Sequence, residues 1–366
     1  MGDSDKDIYQ KQSSIRFCLI NDMVPFLEVD VPNYRELSDT ETVITDIDVL
    51  GVRIEPTGHP QRIIFDCKTA KISPINRALW ASGLMQYADC NEAFVLLKKR
   101  ASEAHRLSAK TINVHLFDDK QFKNYAESCS VDFSLDYCYS TDIQNWLELF
   151  KTADGNAHLE QCLSVLNVNI PLERDCVKAL RQLITVFQKS KGEFDPDKKK
   201  HVALFYFGVS AFAFLMAQIV HDLRNILDFD SDLPTFEKVL KYYIWGGRDS
   251  FKLRNRLKAA FAARQSKDFE HEEAELNGWP KFVELTRNLL DSPSDIKECI
   301  DPLRELAIRS SVITAPEKEA WLASEIQGNR RIRQFSLALA SYLVTAARLP
   351  SDFNTVLNDD FDSLRS

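Results

Sequence analysis

Three residues in the first third of the chain have the types and spacing needed to hold a divalent cation. Asp48 lies in segment 42–54, TVITDIDVLGVRI, and Asp66 and Lys68 lie in segment 62–68, RIIFDCK. Carboxylate oxygens suit Mg²⁺, and neighbouring carboxylates without a cation repel and raise each other's pKa. A metal at this point would stabilise charge on a phosphodiester under attack, while the lysine orients or deprotonates a metal-bound water.

The two segments are predicted to form one hairpin, because residues 55–61, EPTGHPQ, supply the Pro and Gly of a turn. Side chains alternate between the two faces along a strand. A turn centred on Gly58 places Asp48 directly across from Lys68 and one diagonal step from Asp66. The register therefore predicts that two carboxylates and one ammonium group share a face.

Two Asp and one Lys are also typical of a solvated cross-strand ion pair, and the surrounding elements favour a site instead. The charged residues lie inside an ordered α/β pattern. The sequence predicts a helix over 8–22, strands over 25–31, 42–54 and 62–68, a helix beginning at Pro74, a strand over 93–97, a helix over 102–110 and a strand over 112–117.

With these motifs, the chain resembles the PD-(D/E)XK, or restriction-endonuclease-like, nuclease superfamily over about residues 43–117. The resemblance implies an α/β domain with a mixed sheet flanked by helices. It also implies that Asp48 and Asp66 are metal ligands, that Lys68 is catalytic and that Cys67 is a ligand through its backbone carbonyl. The implied cofactor is Mg²⁺, for which Mn²⁺ would substitute.

The chain departs from the family pattern in its first predicted helix. Many members place a Glu there, facing the site, and residues 8–22 contain none. Glu28, Glu36 and Asp46 are the candidates to replace it as accessory acidic residues. The sequence does not choose among them.

A change in periodicity divides the chain into a predicted restriction-endonuclease-like domain over 1–120, a linker over 121–141 and an all-α domain over 142–366. The helical domain is expected to select substrate, dimerise or dock another subunit. Helical patterns occur near 142–152, 156–166, 173–190, 200–229, 233–245, 249–265, 280–291, 296–310, 315–325 and 328–348.

Two groups of basic residues are candidates for contacting a nucleic-acid backbone, although ordinary solvated basic faces have the same appearance. The first follows the strand over 93–97, and the second lies in segment 246–267, whose helical apolar stripe is expected to pack inward. The basic residues are Lys98, Lys99 and Arg100 in the first group and Arg248, Lys252, Arg254, Arg256 and Lys258 in the second, and the stripe is Leu253, Leu257 and Phe261.

Composition limits the range of function classes. The net charge of −8 lacks a strongly basic footprint and disfavours tight non-specific DNA binding by the isolated chain. Eight cysteines without a Cys-x-x-Cys pair indicate reduced thiols, and the polar N-terminus is unlike a secretory signal, so a cytoplasmic protein is expected. The chain has no Walker-type loop or G-x-G-x-x-G, which excludes the usual nucleotide-cofactor motifs.

Residues 202–220, VALFYFGVSAFAFLMAQIV, form an uncharged segment long enough to cross a bilayer. Ser210 and Gln218 within it, and the amphipathic continuation HDLRNILDF, favour a buried central helix over a membrane span.

The function expected from these patterns is metal-dependent hydrolysis of phosphodiester bonds in DNA, in host defence or DNA repair. Cleavage of a duplex needs two cuts, so a homodimer or a larger complex is expected. One alternative is a non-catalytic interaction subunit that keeps a nuclease fold. Another is a membrane-tethered effector anchored by residues 202–220.

Overall fold

The structure is a computed structural model that describes residues 7–33, 40, 42–55, 59–69, 72–129, 133, 136–228, 231–264 and 273–364. Its N-terminal part combines strands with helices. The strands are β1 Val24–Pro32, β2 Val43–Ile54, β3 Pro60–Lys68, β4 Glu92–Leu97 and β5 Val114–Asp118, and the helices are α1 Ile8–Ile20, α2 Pro74–Ala88, α3 Glu103–Lys110 and α4 Asp119–Cys129.

The strands form one mixed five-stranded sheet in the order β1-β2-β3-β4-β5. β1, β2 and β3 pair antiparallel, whereas β4 and β5 run parallel to β3. Parallel neighbours need a crossover connection, and α2 and α3 supply it. The predicted mixed sheet flanked by helices is therefore confirmed at this level of description.

The register of the hairpin differs from the prediction by two residues. Val49 pairs with Phe65, so the next step of the same register sets Asp48 opposite Asp66 and not opposite Lys68. Gly58, the predicted centre of the turn, lies outside the described residues, and the Glu55 N–H donates to the His59 carbonyl at 3.3 Å. A two-residue shift keeps every side chain on its predicted face.

The interval predicted as a linker, 121–141, contains most of α4. Phe122 and Ala126 are buried on this helix, and the Phe122 ring lies 5.5 Å from that of Phe17 in α1. Polar residues dominate α4, so the sequence pattern obscured the two inward positions, one turn apart, that attach it to the core.

The C-terminal region is mostly helical, as predicted. A π-helical segment, Val165–Asn169, and the helices Ile170–Leu172, Pro293–Lys297 and Asp352–Ser363 had no separate predicted counterpart. The helices are α5 Ile143–Phe150, α6 Ala157–Ser164, α7 Ile170–Leu172, α8 Cys176–Lys189, α9 Lys199–Ile226, α10 Leu233–Ile244, α11 Arg248–Arg264, α12 Trp279–Leu290, α13 Pro293–Lys297, α14 Ile300–Ser311, α15 Pro316–Gly328, α16 Arg330–Ala347 and α17 Asp352–Ser363.

Helix α9 contains the uncharged segment 202–220. It is long and apolar enough to cross a membrane by length and composition, and its most apolar stretch is wholly buried inside the protein. A helix that is apolar on all sides needs neighbours all round. One of them is the sheet, because the Phe214 ring of α9 lies 5.6 Å from that of Phe26 in β1.

The N-terminal and helical parts share a continuous hydrophobic core. A polar contact also joins them, where the buried Arg62 of β3 donates to the carbonyl oxygens of Pro171 and Glu173, each at 2.8 Å. Because the arginine is buried, these hydrogen bonds replace its lost hydration. The helical part is thus directly attached to the strands that carry the candidate site.

The close approach of α8 and α9 depends on Gly208, since a Cβ there would overlap the Phe187 ring. We expect Gly208→Ala to lower the free energy of unfolding by about 1–2 kcal/mol, because overpacking outweighs the gain in helix propensity. Gly83→Ala is the matched control, since a Cβ at this exposed helical position has open space around it. The control should stabilise the protein by up to about 1 kcal/mol in chemical denaturation. Equal stabilisation by both variants would contradict the packing described.

Candidate functional site

Asp48, Asp66 and Lys68 converge at the end of the β2–β3 hairpin. Lys68 Nζ lies 3.2 Å from Asp48 Oδ2 and 3.4 Å from Asp66 Oδ1. Each of the two carboxylate side chains is only 5% exposed, whereas that of Lys68 is 27% exposed. Two carboxylates withdrawn from water side by side are stable only with cations or donors close to them.

The point at which β2 and β3 stop pairing determines the position of Asp48. Its Oδ2 accepts a hydrogen bond from the backbone N–H of Cys67 at 2.8 Å. The carboxylate therefore satisfies a backbone donor that lies just beyond the last β2–β3 pair, Val49 with Phe65. The Cys67 thiol lies 3.9 Å from Ser14 Oγ. Burial raises the pKa of this thiol well above its usual value, which disfavours the thiolate.

Two cationic residues that the sequence analysis missed complete the arrangement. Lys11 of α1 pairs with Glu28 and lies 3.2 Å from Asp48 Oδ1. Arg77 of α2 binds Asp66 with both ends of its guanidinium, Nε to Oδ2 at 2.6 Å and Nη2 to Oδ1 at 2.5 Å. Lys11 lies in the first helix, where the family that the sequence resembles places a Glu. Its position in that helix is the sequence signal that could have identified Lys11 as a site residue.

Glu28 has an unusual backbone for a strand residue. Its neighbours Leu27 and Val29 pair with Val49 and Ile47, which places Glu28 opposite Asp48, yet its φ is +52°. A left-handed conformation costs a non-glycine residue about 1–3 kcal/mol and is concentrated at functional sites. The sequence contains no signal for this conformation, since Glu has no special preference for it.

Glu28, Asp46 and Asp48 each offer a carboxylate oxygen, and these oxygens lie within 4.8 Å of one another. The structure therefore brings two of the three accessory candidates to Asp48, while Glu36 lies outside the described residues. Oxygens bound to one Mg²⁺ lie about 2.1 Å from it, so small side-chain rotations would bring this set onto a single ion. The donor set fits a hard divalent cation.

Asp66 is not in this group, although the sequence analysis made it a metal ligand with Asp48. Both of its oxygens are engaged by Arg77, whose guanidinium also stacks 3.4 Å above the Trp80 ring. A bidentate guanidinium is a strong competitor for a carboxylate. In this arrangement Asp66 orients Lys68 and offers no free oxygen.

Burial and charge act in opposite directions on the Lys11–Glu28 pair. Burial acts to lower the pKa of Lys11, but the hydrogen bond to Glu28 and the charge of Asp48 outweigh it, so the net pKa is raised. Burial raises the pKa of Glu28, and Lys11 offsets this only in part. Lys11 is therefore a permanent cation beside a carboxylate that is easier to protonate than an ordinary Glu.

The predicted basic groups are exposed. Lys98, Lys99 and Arg100 follow β4 directly, and the Lys98 N–H donates to the Lys68 carbonyl at 3.2 Å, which places this group beside the site. The second group, on α11, lies in the helical part and is also exposed; its members are Arg248, Lys252, Arg254, Arg256 and Lys258.

The apolar stripe of α11 does not pack inward as predicted, because its three members, Leu253, Leu257 and Phe261, are 57%, 50% and 62% exposed. Instead, Phe251 is buried, with its ring 5.7 Å from that of Tyr242 in α10. Asn255, one turn further, accepts the Ala274 N–H at 2.7 Å. The helix therefore packs through the face opposite the stripe.

Compared with protein-family models, with curated proteins and with solved structures, this chain matches none of them. Its function is therefore inferred from the residues and contacts described above.

Arg77→Met tests whether the guanidinium stabilises the buried Asp66 carboxylate. We expect the free energy of unfolding in EDTA to fall by about 2–3 kcal/mol, less than the usual cost of breaking a buried pair because Lys68 remains beside Asp66. Adding Asp66→Asn should recover roughly half or more of the loss. Chemical denaturation of the parent, of Arg77→Met and of the double variant measures these differences. An Arg77→Met variant as stable as the parent contradicts the role assigned to the guanidinium.

Proposed function

We propose that this chain is a metal-dependent nuclease that hydrolyses phosphodiester bonds in DNA. The observation that supports the proposal most directly is the convergence of Asp48, Asp66 and Lys68 on one hairpin, with Glu28 and Asp46 turned toward Asp48. Buried carboxylates, a lysine and a strained residue at one strand end are features of catalytic sites more than of structural ion pairs.

In the proposed centre, Glu28, Asp46 and Asp48 hold Mg²⁺, with Mn²⁺ as a substitute. The bound ion would supply Lewis-acid stabilisation of the phosphate and a more acidic bound water. The Cys67 carbonyl, a ligand that the family resemblance implies, would be a fourth member of this set. The Asp48 carboxylate is held in place by the Cys67 N–H.

Lys68 acts in this proposal as a cation and not as a base. Burial acts to lower its pKa, but the charges of Asp66 and Asp48 and the hydrogen bond to Asp48 outweigh burial, so the pKa is raised. A protonated ammonium group donates hydrogen bonds to a water or to a phosphate oxygen. Of the two roles considered from the sequence, orientation is thus favoured over proton abstraction.

The partners proposed follow from the same geometry. Lys98, Lys99 and Arg100 lie beside the site and would contact phosphates that flank the cleaved bond. A homodimer or a larger complex would provide the second cut on duplex DNA. Cytoplasmic host defence or DNA repair is the proposed setting, with no nucleotide cofactor bound by this chain.

One observation favours a second candidate, a non-catalytic interaction subunit that keeps the nuclease-like site. Lys11, Lys68 and Arg77 already compensate the carboxylates by direct contacts. A site neutralised in this way can be stable without metal. The membrane-tethered alternative has less support, because the apolar stretch of α9 is buried within the protein.

Cleavage of supercoiled plasmid and of single-stranded DNA, with Mg²⁺, with Mn²⁺ and with EDTA, tests the nuclease proposal. We expect cleavage that EDTA abolishes. Asp48→Asn and Lys68→Ala should each lower the rate by about 10²-fold or more, because each removes charge stabilisation from the reacting phosphate. Asp66→Ala is expected to abolish cleavage as well, through disorder of Lys68.

The matched control is Glu92→Gln, an exposed acidic residue at the opposite end of the sheet, where β4 begins beside Ile63 of β3. It should cut at the parental rate. If folded Asp48→Asn and Lys68→Ala proteins cleave as fast as the parent, the proposal is wrong. A parent protein that binds DNA without cutting it supports the non-catalytic candidate instead.

A further inference from the structure

A buried amide from the helical part reaches the backbone of the candidate metal centre. Asn167 lies in the π-helical segment Val165–Asn169 and is only 6% exposed. Its Nδ2 donates to the Leu27 carbonyl at 2.8 Å and approaches the Glu28 carbonyl at 3.4 Å. The contact spans 139 residues of sequence.

The contact meets β1 at the residue whose backbone departs from a strand. With φ at +52°, Glu28 is missing from the β1–β2 pairs, although Leu27 and Val29 on either side take part in them. A departure of this kind redirects the peptide groups around it. The amide of Asn167 therefore satisfies carbonyl oxygens at the point where the strand is irregular.

The orientation of the amide is determined by these neighbours. Its nitrogen faces two carbonyl oxygens, whereas its Oδ1 is buried without a hydrogen-bond partner among the described residues. Turning the amide over would set three acceptors against one another. The side chain thus acts at this position as a donor, a role that Asp or Leu cannot take.

A π-helical turn is what presents Asn167 at this point. Such turns are rare, occur as single insertions in α-helices and are frequent at functional sites. Here the turn lies between α6 and α7, and Val165, Leu166 and Val168 within it are buried. The rest of the turn is therefore packed, and the amide has a fixed position from which to reach β1.

We infer that Asn167 is a positioning residue: by holding the Leu27 and Glu28 carbonyls, it keeps the left-handed turn that directs the Glu28 carboxylate toward Asp46 and Asp48. The inference rests on the proposed function, because it assigns Glu28 a metal-binding purpose. It makes the helical part a component of the metal centre and not only a separate substrate-selecting unit.

Mn²⁺ binding to the full-length chain, measured by electron paramagnetic resonance, tests the inference. Asn167→Leu, which keeps the size but removes the donor, should weaken Mn²⁺ binding roughly tenfold, the lower end of the effect seen for residues that orient metal ligands. Asn277→Leu is the matched control, because it removes a similar amide-to-carbonyl bond, to Ala346, inside the helical part. The control should lower the melting temperature and leave Mn²⁺ affinity unchanged.

A double-variant cycle separates positioning from general loss of structure. Glu28→Ala weakens binding by removing a ligand, and adding Asn167→Leu should then cause no further loss, since the positioned group is gone. An equal loss in both backgrounds overturns the inference. So does parental affinity in folded Asn167→Leu.

If Asn167→Leu does not fold, Asn167→Ala, which also removes the donor, takes its place in the same cycle with the same expected loss. A parent chain that binds no Mn²⁺ overturns the metal centre itself and this inference with it. A parent that binds Mn²⁺ as tightly as its folded Asn167 variants overturns the inference alone.

Discussion

Carboxylates buried at the end of one β-hairpin determine which charged contacts join the surrounding helices to the sheet. Asp48 and Asp66 face each other across two strands that stop pairing one residue earlier, at Val49 and Phe65. Their repulsion in a low-dielectric setting requires cations, and three elements provide them: α1 through Lys11, β3 through Lys68 and α2 through Arg77. The helices flanking the sheet are therefore coupled to its strand ends by charge as well as by apolar packing.

This compensation has a chemical consequence. The same cations that make the fold stable without metal also compete with an incoming ion for carboxylate oxygens. The competition is unequal, because Arg77 engages both oxygens of Asp66, whereas Asp48 shares its oxygens between Lys11, Lys68 and one backbone N–H. In the proposed centre, an ion would therefore bind at Asp48 with Glu28 and Asp46, and Asp66 would serve mainly to hold Lys68. Lys11 contacts Glu28 and Asp48, so binding of an ion at these carboxylates would require this ammonium group to move.

Much of this arrangement could be predicted from the sequence, and what could not has identifiable causes. The alternation of β2 and β3 places Asp48, Asp66 and Lys68 on one face whichever even register applies, so an error of two residues in the turn did not alter their convergence. Lys11 and Arg77 were missed because salt partners on separate helices depend on how those helices pack, which local pattern does not encode. The φ of Glu28 and the amide contact of Asn167 are properties of tertiary structure, since one is a strained backbone and the other joins residues far apart in sequence. For α11, two opposite faces both carry apolar residues, and periodicity cannot tell which one packs.

The position of a bound ion tests the central claim most directly. Crystals of the full chain soaked in Mn²⁺ and measured at a wavelength where manganese scatters anomalously would locate it without reference to activity. The account predicts one strong peak in contact with carboxylate oxygens of Glu28, Asp46 and Asp48, with the Lys11 ammonium group moved away from Asp48. A map with no peak at this cluster, and with Lys11 still paired to Glu28 and Asp48 at saturating Mn²⁺, would contradict it.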